Sequence, residues 1–241
     1  MLRRASLRPA VAVEPCVCDL YLRFHRSSQR GGSGTSAGDG LCPRDPATRA
    51  AVSTVAADLG NTALFGALCS GRTLHLFSTE DGFDPDAMAA AMHGRQVEVL
   101  KIVPSHLRGL LHAAHPERVL PTRCLILGGE ALRRDLVREI RRLAPGCAIV
   151  NHYGPTETTV GVSTHLVETS QGHAESDVPI GRPLSFVQAH LLDSDGQPVP
   201  IGVPGELYIG GQQVTRGYLG RPEATAERFI PDSFSRRPGA R

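Results

Sequence analysis

Residues 97 to 153 alternate between strand-like and helix-like segments, and this alternation constrains the fold more than any other feature. The runs VEVLKIVP, RCLILGG and CAIVN are predicted strands, whereas SHLRGLLHAA and the amphipathic ALRRDLVREIRRLA are predicted helices. This order predicts an α/β fold with a layered, parallel-sheet core. Ligands of such sheets collect at the carboxyl ends of the strands. The residues at or near those ends are Lys101, Gly128, Gly129, His152 and Tyr153.

The segments on either side of this core have different sequence patterns. From about Val178 short β segments alternate with turns, in FVQAHLLDSDGQPVP and GVPGELYIGG, and Asp195-Gly196 predicts a hairpin turn. The first 45 residues carry RGGSGTSAGDG and clustered arginines without a period of 2 or 3.6 residues. We therefore expect an unstructured or out-of-frame segment at 1–45, an α/β part at 46–177 and a small β-rich subdomain at 178–241.

The composition excludes several classes of protein. The 241 residues carry a net charge of +2 with no basic stripe between aromatic residues, which argues against nucleic acid as a partner. No apolar run is long enough to span a membrane, so the cytoplasm is the expected location. Of the 26 basic residues, 25 are arginine and Lys101 is the only lysine. A chain that uses arginine almost everywhere is not expected to keep Lys101 as a casual surface charge.

The stretch NHYGPTETTVGVSTH, residues 151–165, follows the last predicted strand of the core. It is rich in hydroxyl groups, poor in bulky side chains and bent by Gly154 and Pro155. Its polar groups can therefore converge on one ligand, although an ordinary turn would explain a lone Gly-Pro-Thr equally well.

Several ordered motifs together resemble the adenylation domains of nonribosomal peptide synthetases, which are AMP-binding, adenylate-forming enzymes. These motifs are NHYGPTETT, LILGGEAL, VPIGRPL and GELYIGGQQVTRGYLGRPEATAERFIPDSF, within residues 52 to 241. The resemblance implies formation of an aminoacyl adenylate from an amino acid and ATP with Mg²⁺. Thioester formation on the phosphopantetheine of a peptidyl carrier domain would follow, beside a condensation domain in a larger synthetase.

The resemblance also assigns the nucleotide site. Tyr153 would stack on adenine, Asn151 would hydrogen-bond the base, Thr156 would contact phosphate and Glu157 would hold Mg²⁺, as single carboxylates commonly do beside phosphate oxygens. An ordinary packed aromatic is the alternative for Tyr153. The remaining nucleotide-binding positions are Gly129, Glu130, Ala131 and Gly154.

The amino-acid pocket follows from the same resemblance. Asp58 would bind the substrate α-ammonium, with a helix-capping role as the alternative. Lys101 and His152 resemble aspartate-activating pockets, with asparagine or a β-substituted aspartate as alternatives, because a buried ammonium requires a negative partner. Two small residues, Gly128 and Gly161, are expected to leave room for a short ligand side chain and for the two polar tips of Lys101 and His152. The full set is Asp58, Leu59, Thr62, Lys101, Ile126, Gly128, His152, Val160 and Gly161.

Two family features have no counterpart in the expected places, namely the phosphate loop upstream of Asp58 and the C-terminal subdomain with its catalytic lysine. Residues 20–38 can be written with codons that encode such a loop one base out of phase, which leads to a frameshift hypothesis for residues 1 to about 45. Three readings stay open: a fragment of an amino-acid-activating domain that is inactive alone, a catalytically incompetent binding remnant, and an acyl- or aryl-activating relative. Asp58 disfavours the third.

Overall fold

The computed structural model describes residues 48–52, 58–168 and 176–241. The segment 1–45, for which an unstructured or out-of-frame arm is expected, and the frameshift hypothesis for residues 20–38 lie outside these described residues.

A mostly parallel sheet forms the centre of the described structure. Seven strands lie in the order β2-β1-β3-β4-β5-β6-β7, with β1 to β5 parallel and β6 and β7 antiparallel to their neighbours. The predicted α/β class with a parallel-sheet core is confirmed. The strands are β1 (Arg49–Ala51), β2 (Leu74–Leu76), β3 (Val99–Ile102), β4 (Cys124–Gly128), β5 (Ala148–Tyr153), β6 (Ser163–Leu166) and β7 (Arg182–Pro183).

Helices lie between most of these strands, and two of them begin with a side-chain N-cap, at Ser78 and at Asp84. The Asp84 carboxylate accepts a hydrogen bond from Ala87 N at 2.8 Å, and Pro85 occupies the first turn of the helix that it starts. No helix in the described ranges is long and apolar enough to cross a membrane. The helices are α1 (Asn61–Leu68), α2 (Thr79–Phe83), α3 (Pro85–Gly94), α4 (Pro104–Leu110), α5 (Arg134–Leu143) and α6 (Pro222–Arg228). Short 3-10 turns occupy Asp58–Gly60, Pro116–Val119 and Thr156–Thr158.

The two faces of the sheet pack differently. Alternate side chains such as Leu100, Leu125 and Ile149 point into a large apolar core that also contains Leu107 of α4 and Leu136 of α5. The opposite face carries a small apolar cluster of Val99, Cys124, Ile126 and Val150. Continuing the alternation toward the strand ends puts Lys101, Gly128 and His152 on this second face.

The β-rich region contains one antiparallel pair, β8 (Val187–Leu192) with β9 (Glu206–Gly211). The predicted turn at Asp195-Gly196 forms, with Gly196 N bonded to Asp193 O at 3.1 Å and Gly196 at φ +72°. It does not join β8 directly to β9, however. The chain folds back only as far as Val199, whose N–H donates to Leu191 O at 3.0 Å. Pro198 and Pro200 lack the N–H groups that a longer ladder would require.

The transition near residue 178 also differs from the expectation. Val178 is buried in the large core, its N–H donates to Leu132 O at 2.7 Å, and β7 adds to the seven-stranded sheet. Residues 178–183 therefore pack with the α/β part, and the separate β pair begins at Val187. The sequence pattern missed this because the segment is too short to show any periodicity.

Candidate substrate and nucleotide site

Lys101 lies in a buried cluster at the carboxyl end of β3. Its Nζ donates to Thr62 Oγ1 at 2.7 Å and contacts His152 Nδ1 at 2.8 Å. All three side chains are buried, with Lys101 only 3% exposed. Strand register brings the lysine and the histidine to the same sheet face, and α1 covers them with Thr62. Thr62 and His152, which are 39 and 51 positions from Lys101 in sequence, thus form one polar cluster with it.

Burial controls the charge of this cluster. Desolvation lowers the pKa of Lys101 to about 7, against a smaller opposing effect of the Asp58 charge. Desolvation, followed by repulsion from Lys101, lowers the pKa of His152 well below its usual value. His152 is therefore neutral, and with Nδ1 accepting from the ammonium its proton is on Nε2. At neutral pH the cluster therefore contains an amine that is only partly protonated, because its ammonium form lacks a directly bonded anion.

Asp58 supplies the nearest negative charge without forming an ion pair with Lys101. It begins the 3-10 turn that precedes α1, and its Oδ2 is buried without a hydrogen-bond partner among the described residues. Gly60, with no side-chain cap bond, occupies the N-cap of α1, so Asp58 does not cap this helix. A buried carboxylate oxygen without a donor is costly, which indicates that a cationic ligand group belongs there.

The space beside the two predicted pocket glycines is filled by His152. A Cβ on Gly161 would lie 1.7 Å from His152 Nε2, and a Cβ on Gly128 would lie 2.3 Å from His152 O. The small size of Gly161 gives the room that was expected for the polar tip of His152, and the small size of Gly128 admits the His152 backbone. The expected room for a short ligand side chain stays a prediction.

The loop after β5 turns back along that strand, and two of its residues have unfavourable backbone angles. Thr159 and Val160 have left-handed φ angles of 59° and 71°, which β-branched residues rarely adopt. A Cβ on Gly154 would lie 2.5 Å from Gly161 Cα. Val162 N then bonds Tyr153 O at 2.8 Å. The strained turn at 159–160 thereby brings Gly161 against the imidazole of His152.

The predicted pocket residues Leu59 and Ile126 lie at the edges of this cluster. Ile126 is fully buried in the small apolar cluster, one strand from Lys101 in register. The Leu59 Cδ1 atom approaches the position that a Cβ on Gly129 would occupy, at 3.7 Å. Ile126 therefore lies beside Lys101 on the same face of the sheet, whereas Leu59 lies beside the turn at Gly129.

The predicted nucleotide residues lie on the other side of β5 and at the end of β4. Asn151 is buried, and its Nδ2 donates to Val178 O at 3.2 Å and Pro179 O at 2.9 Å. These two bonds use both amide hydrogens, so only Oδ1 remains to accept from a base. Tyr153 is half-buried on the same strand face.

The turn 129–131 after β4 has a well-defined geometry. Gly129 adopts φ +84°, and the exposed Glu130 accepts from Ser105 N at 3.0 Å and Ser105 Oγ at 2.7 Å. Glu130 thereby caps the start of α4 through its side chain. Ala131 is exposed beside it. Because the Glu130 side chain binds Ser105, the backbone of this turn is the part that remains to contact a ligand.

Glu157 and Thr156 lie in the 3-10 turn that follows Gly154 and Pro155. Thr156 is exposed, whereas Glu157 is partly buried and its Oε1 accepts a hydrogen bond from the Tyr218 hydroxyl. The backbone of the same turn is bound by Thr215 N, which donates to Glu157 O at 2.8 Å. The sequence analysis did not identify Tyr218, although the motif TRGYLG contained it.

The family is decided by a comparison of the whole sequence. The sequence profile described as AMP-binding enzyme matches residues 35–219. The chain belongs to the AMP-binding enzyme family. The match begins inside the segment 1–45 that was expected to be unstructured or out of frame.

Relatives of this AMP-binding chain include large synthetases. Malpinin synthetase of Mortierella alpina is 38% identical over 177 residues, which is 73% of this chain and 2% of that protein. The dimodular nonribosomal peptide synthase of Bacillus subtilis is 37% identical over 191 residues, which is 79% of this chain and 8% of that protein. The chain thus spans less than a tenth of the length of these relatives.

The fold has a match among solved structures. The nonribosomal peptide synthetase FmoA3 superposes with a TM-score of 0.77 at 24% identity, over 93% of this chain and 23% of that one. The described sheet and helices therefore have the architecture of part of an adenylate-forming domain.

The donor groups of the predicted nucleotide site would suit ATP and Mg²⁺. Asn151 Oδ1 and the half-buried ring of Tyr153 are an acceptor and a stacking surface for a base. Glu157 is one carboxylate with one oxygen bound by Tyr218, and a Mg²⁺ ion shared with phosphates commonly takes only one or two protein carboxylates. No group of three or more His, Cys, Asp or Glu residues in the described ranges could hold a metal without such phosphates.

Proposed function

We propose that this chain is the substrate-binding part of an adenylation domain that activates aspartate as aspartyl adenylate. The observation that carries the proposal is the buried Lys101 amine, which is bonded only to the neutral groups Thr62 and His152, beside an Asp58 carboxylate oxygen without a donor among the described residues. An aspartate ligand has the charges that this pair lacks. Its α-ammonium complements Asp58, and its β-carboxylate complements Lys101.

Energetics favour a charged side chain over a neutral one. A hydrogen bond to a charged group stabilises by about 1.5–3 kcal/mol, and a buried charge left unpaired costs at least as much. A β-carboxylate next to Lys101 would restore the ammonium and gain a charge-assisted bond. Asparagine could accept from Lys101 through its amide oxygen, but it would leave the cation without a counter-charge. The same reasoning disfavours aryl and fatty acyl substrates, which would also leave Asp58 unpaired.

The proposed reaction uses residues from two regions of the site. Asp58, Lys101 and His152 would hold and orient the amino acid at the ends of the strands, while Tyr153 and Asn151 would hold the base. Thr156 would donate to a phosphate oxygen. Glu157 would hold Mg²⁺, which when bound neutralises phosphate charge during adenylate formation. Transfer to a carrier-protein phosphopantetheine, in a synthetase with condensation domains, is the step that the relatives suggest.

Pyrophosphate exchange with a panel of amino acids tests this proposal on the protein encoded by the complete gene. We expect exchange with aspartate to exceed that with asparagine, glutamate and leucine by at least tenfold. Preference for a neutral or aryl substrate would overturn the assignment of Lys101. Absence of exchange with every substrate, combined with binding of an aspartyl-adenylate analogue, would instead identify the catalytically incompetent binding remnant.

A further inference from the structure

The Tyr218 hydroxyl donates to Glu157 Oε1 across 61 positions of sequence, and this contact is not explained by the proposed amino-acid pocket. Tyr218 lies between β9 and α6, in a region that contributes no other side chain to the Glu157 carboxylate among the described residues. The hydroxyl binds one carboxylate oxygen, Oε1, which leaves the second oxygen of Glu157 available to another partner.

The position of Tyr218 is itself fixed by several contacts. Its ring packs edge-to-face on Phe229 with centroids 5.4 Å apart, and its backbone N–H donates to Thr225 Oγ1 at 2.9 Å. A Cβ on Gly217 would lie 2.4 Å from Thr225 Cγ2, so the glycine allows α6 to approach this closely. The phenol is therefore held by a buried aromatic residue and by the first turn of a helix, and it is not a freely rotating surface group.

The backbones of the two segments are joined as well. Thr215 N donates to Glu157 O at 2.8 Å, and Thr159 Oγ1 donates to Gln213 O at 2.9 Å. These two bonds already dock segment 213–218 on the loop after β5. The Tyr218 hydroxyl is not required for docking, and its bond to the carboxylate acts on the orientation of the Glu157 side chain.

We infer that Tyr218 is a positioning residue that holds the Glu157 carboxylate in the orientation needed to bind a divalent cation together with ATP. The inference rests on the proposed role of Glu157. The phenol donates its hydrogen to Glu157 Oε1 and acts through this bond, so it is not itself a metal ligand. A carboxylate free to rotate would have to be ordered when the cation binds.

Binding of Mn²⁺ to the ATP-bound protein, measured by electron paramagnetic resonance without any amino acid, tests this inference. Tyr218→Phe removes one oxygen atom and keeps the ring on Phe229, so the fold should persist. We expect the Mn²⁺ dissociation constant to rise about tenfold in this variant, the loss expected for one hydrogen bond to a charged group. The affinity for ATP without metal should change by less than twofold.

Two further variants separate positioning from general stability. Phe229→Leu keeps the hydroxyl but removes the aromatic contact, so it should lower the melting temperature and weaken Mn²⁺ binding by less than Tyr218→Phe does. In a Glu157→Gln background, Tyr218→Phe should cause no further loss, because the two residues act through one interaction. Wild-type Mn²⁺ affinity in Tyr218→Phe, additive losses in the double variant, or an equal loss in Phe229→Leu would each overturn the inference.

The test does not depend on the amino-acid pocket. A failure of aspartate specificity would overturn the assignment of Lys101 and leave the Mn²⁺ result intact. Absence of ATP-dependent Mn²⁺ binding in the wild-type protein would overturn the metal role of Glu157, and with it the role of Tyr218. A Mn²⁺ affinity that depends on Glu157 but not on Tyr218 would overturn only the inference made here.

Discussion

The Lys101 cluster and the Glu157 turn are two polar sites at one end of the same sheet, yet different forces hold them. Lys101, Thr62 and His152 are buried, and the register of β3, β4 and β5 brings the two titratable groups, Lys101 and His152, together. Glu157 is partly exposed and depends on a contact with Tyr218 from a distant segment. The first site is part of the core, whereas the second is an assembly of two loops.

This difference predicts which substitutions should alter substrate specificity and which should alter the rate of the reaction. A buried cation that lacks an anion discriminates strongly between ligands, because each mismatch leaves an unpaired charge in a dry site. A carboxylate at the edge of the cleft can bind and release a hydrated cation with each turnover. Substitutions in the first site should therefore change which substrate is used, and those in the second should change the rate for every substrate.

Glu157→Gln should have the largest effect, and it should not depend on the substrate. The variant keeps the shape of the side chain but removes the charge that would bind Mg²⁺, a contribution to transition-state stabilisation worth about 3–4 kcal/mol. Pyrophosphate exchange with the preferred amino acid should fall at least a hundredfold, and poor substrates should lose activity by the same factor. Unchanged exchange would remove the metal role of Glu157 and with it the contrast between the two sites.

Lys101→Met should affect substrates unequally. Loss of a charge-assisted bond in a buried site predicts a ten- to hundredfold lower kcat/KM for aspartate. A small neutral amino acid should be affected much less, because it never engages the ammonium. Steady-state exchange rates with aspartate and alanine provide the comparison. An equal loss for both substrates would return Lys101 to a purely structural role.

Gly161→Ala should disturb the Lys101 cluster through His152. Its Cβ would lie 1.7 Å from His152 Nε2, so the imidazole must move and release its contact with Lys101. Overpacking of this kind costs about 1–3 kcal/mol of unfolding free energy. Urea unfolding measures that cost, and Gly109→Ala is the matched control, because a Cβ there meets nothing within 4 Å. A stability equal to the control would show that His152 has room to move.

The pH dependence of the unfolding free energy should show the lowered pKa of Lys101. This effect should be smaller than those of the substitutions above. The folded pKa of Lys101 is about 7, below its ordinary value of 10.5, so between these values the unfolded chain binds one more proton than the folded one. Stability contributed by this group therefore rises with pH across that window and is lowest below pH 7. From pH 7.5 to 8.5 the wild type should gain about 1 kcal/mol relative to Lys101→Met in urea unfolding. Parallel curves for the two proteins would contradict the lowered pKa.

The strand-helix alternation made the parallel core predictable, because each strand end carries a recognisable change from apolar to polar residues. Lys101 could be singled out because it is the only lysine in the chain. The position of His152 against Gly161 could not be predicted, since it depends on the left-handed backbone at Thr159 and Val160. Tyr218 was missed because its partner is 61 residues away and joins it through loops, which have no period.

That residues 178–183 pack with the α/β part could likewise not be predicted from the sequence. Asn151 binds the carbonyl groups of Val178 and Pro179 and draws this segment onto the large sheet. The contacts that hold this segment on the sheet are non-local bonds from a side chain to the backbone. The sequence of the segment itself does not predict them. Local patterns therefore predicted the elements, whereas the connections between elements were found only in three dimensions.

The central claim is that Lys101 and Asp58 form a site for an amino acid with an acidic side chain, and calorimetric binding of two adenylate analogues tests it most directly. Aspartyl and asparaginyl sulfamoyl adenosine differ only in the charge and hydrogen bonding of the side-chain terminus. The account predicts that the wild-type protein binds the aspartyl analogue at least tenfold more tightly and that Lys101→Met abolishes the difference. Equal affinities in the wild type, or a preference that survives in Lys101→Met, would contradict it.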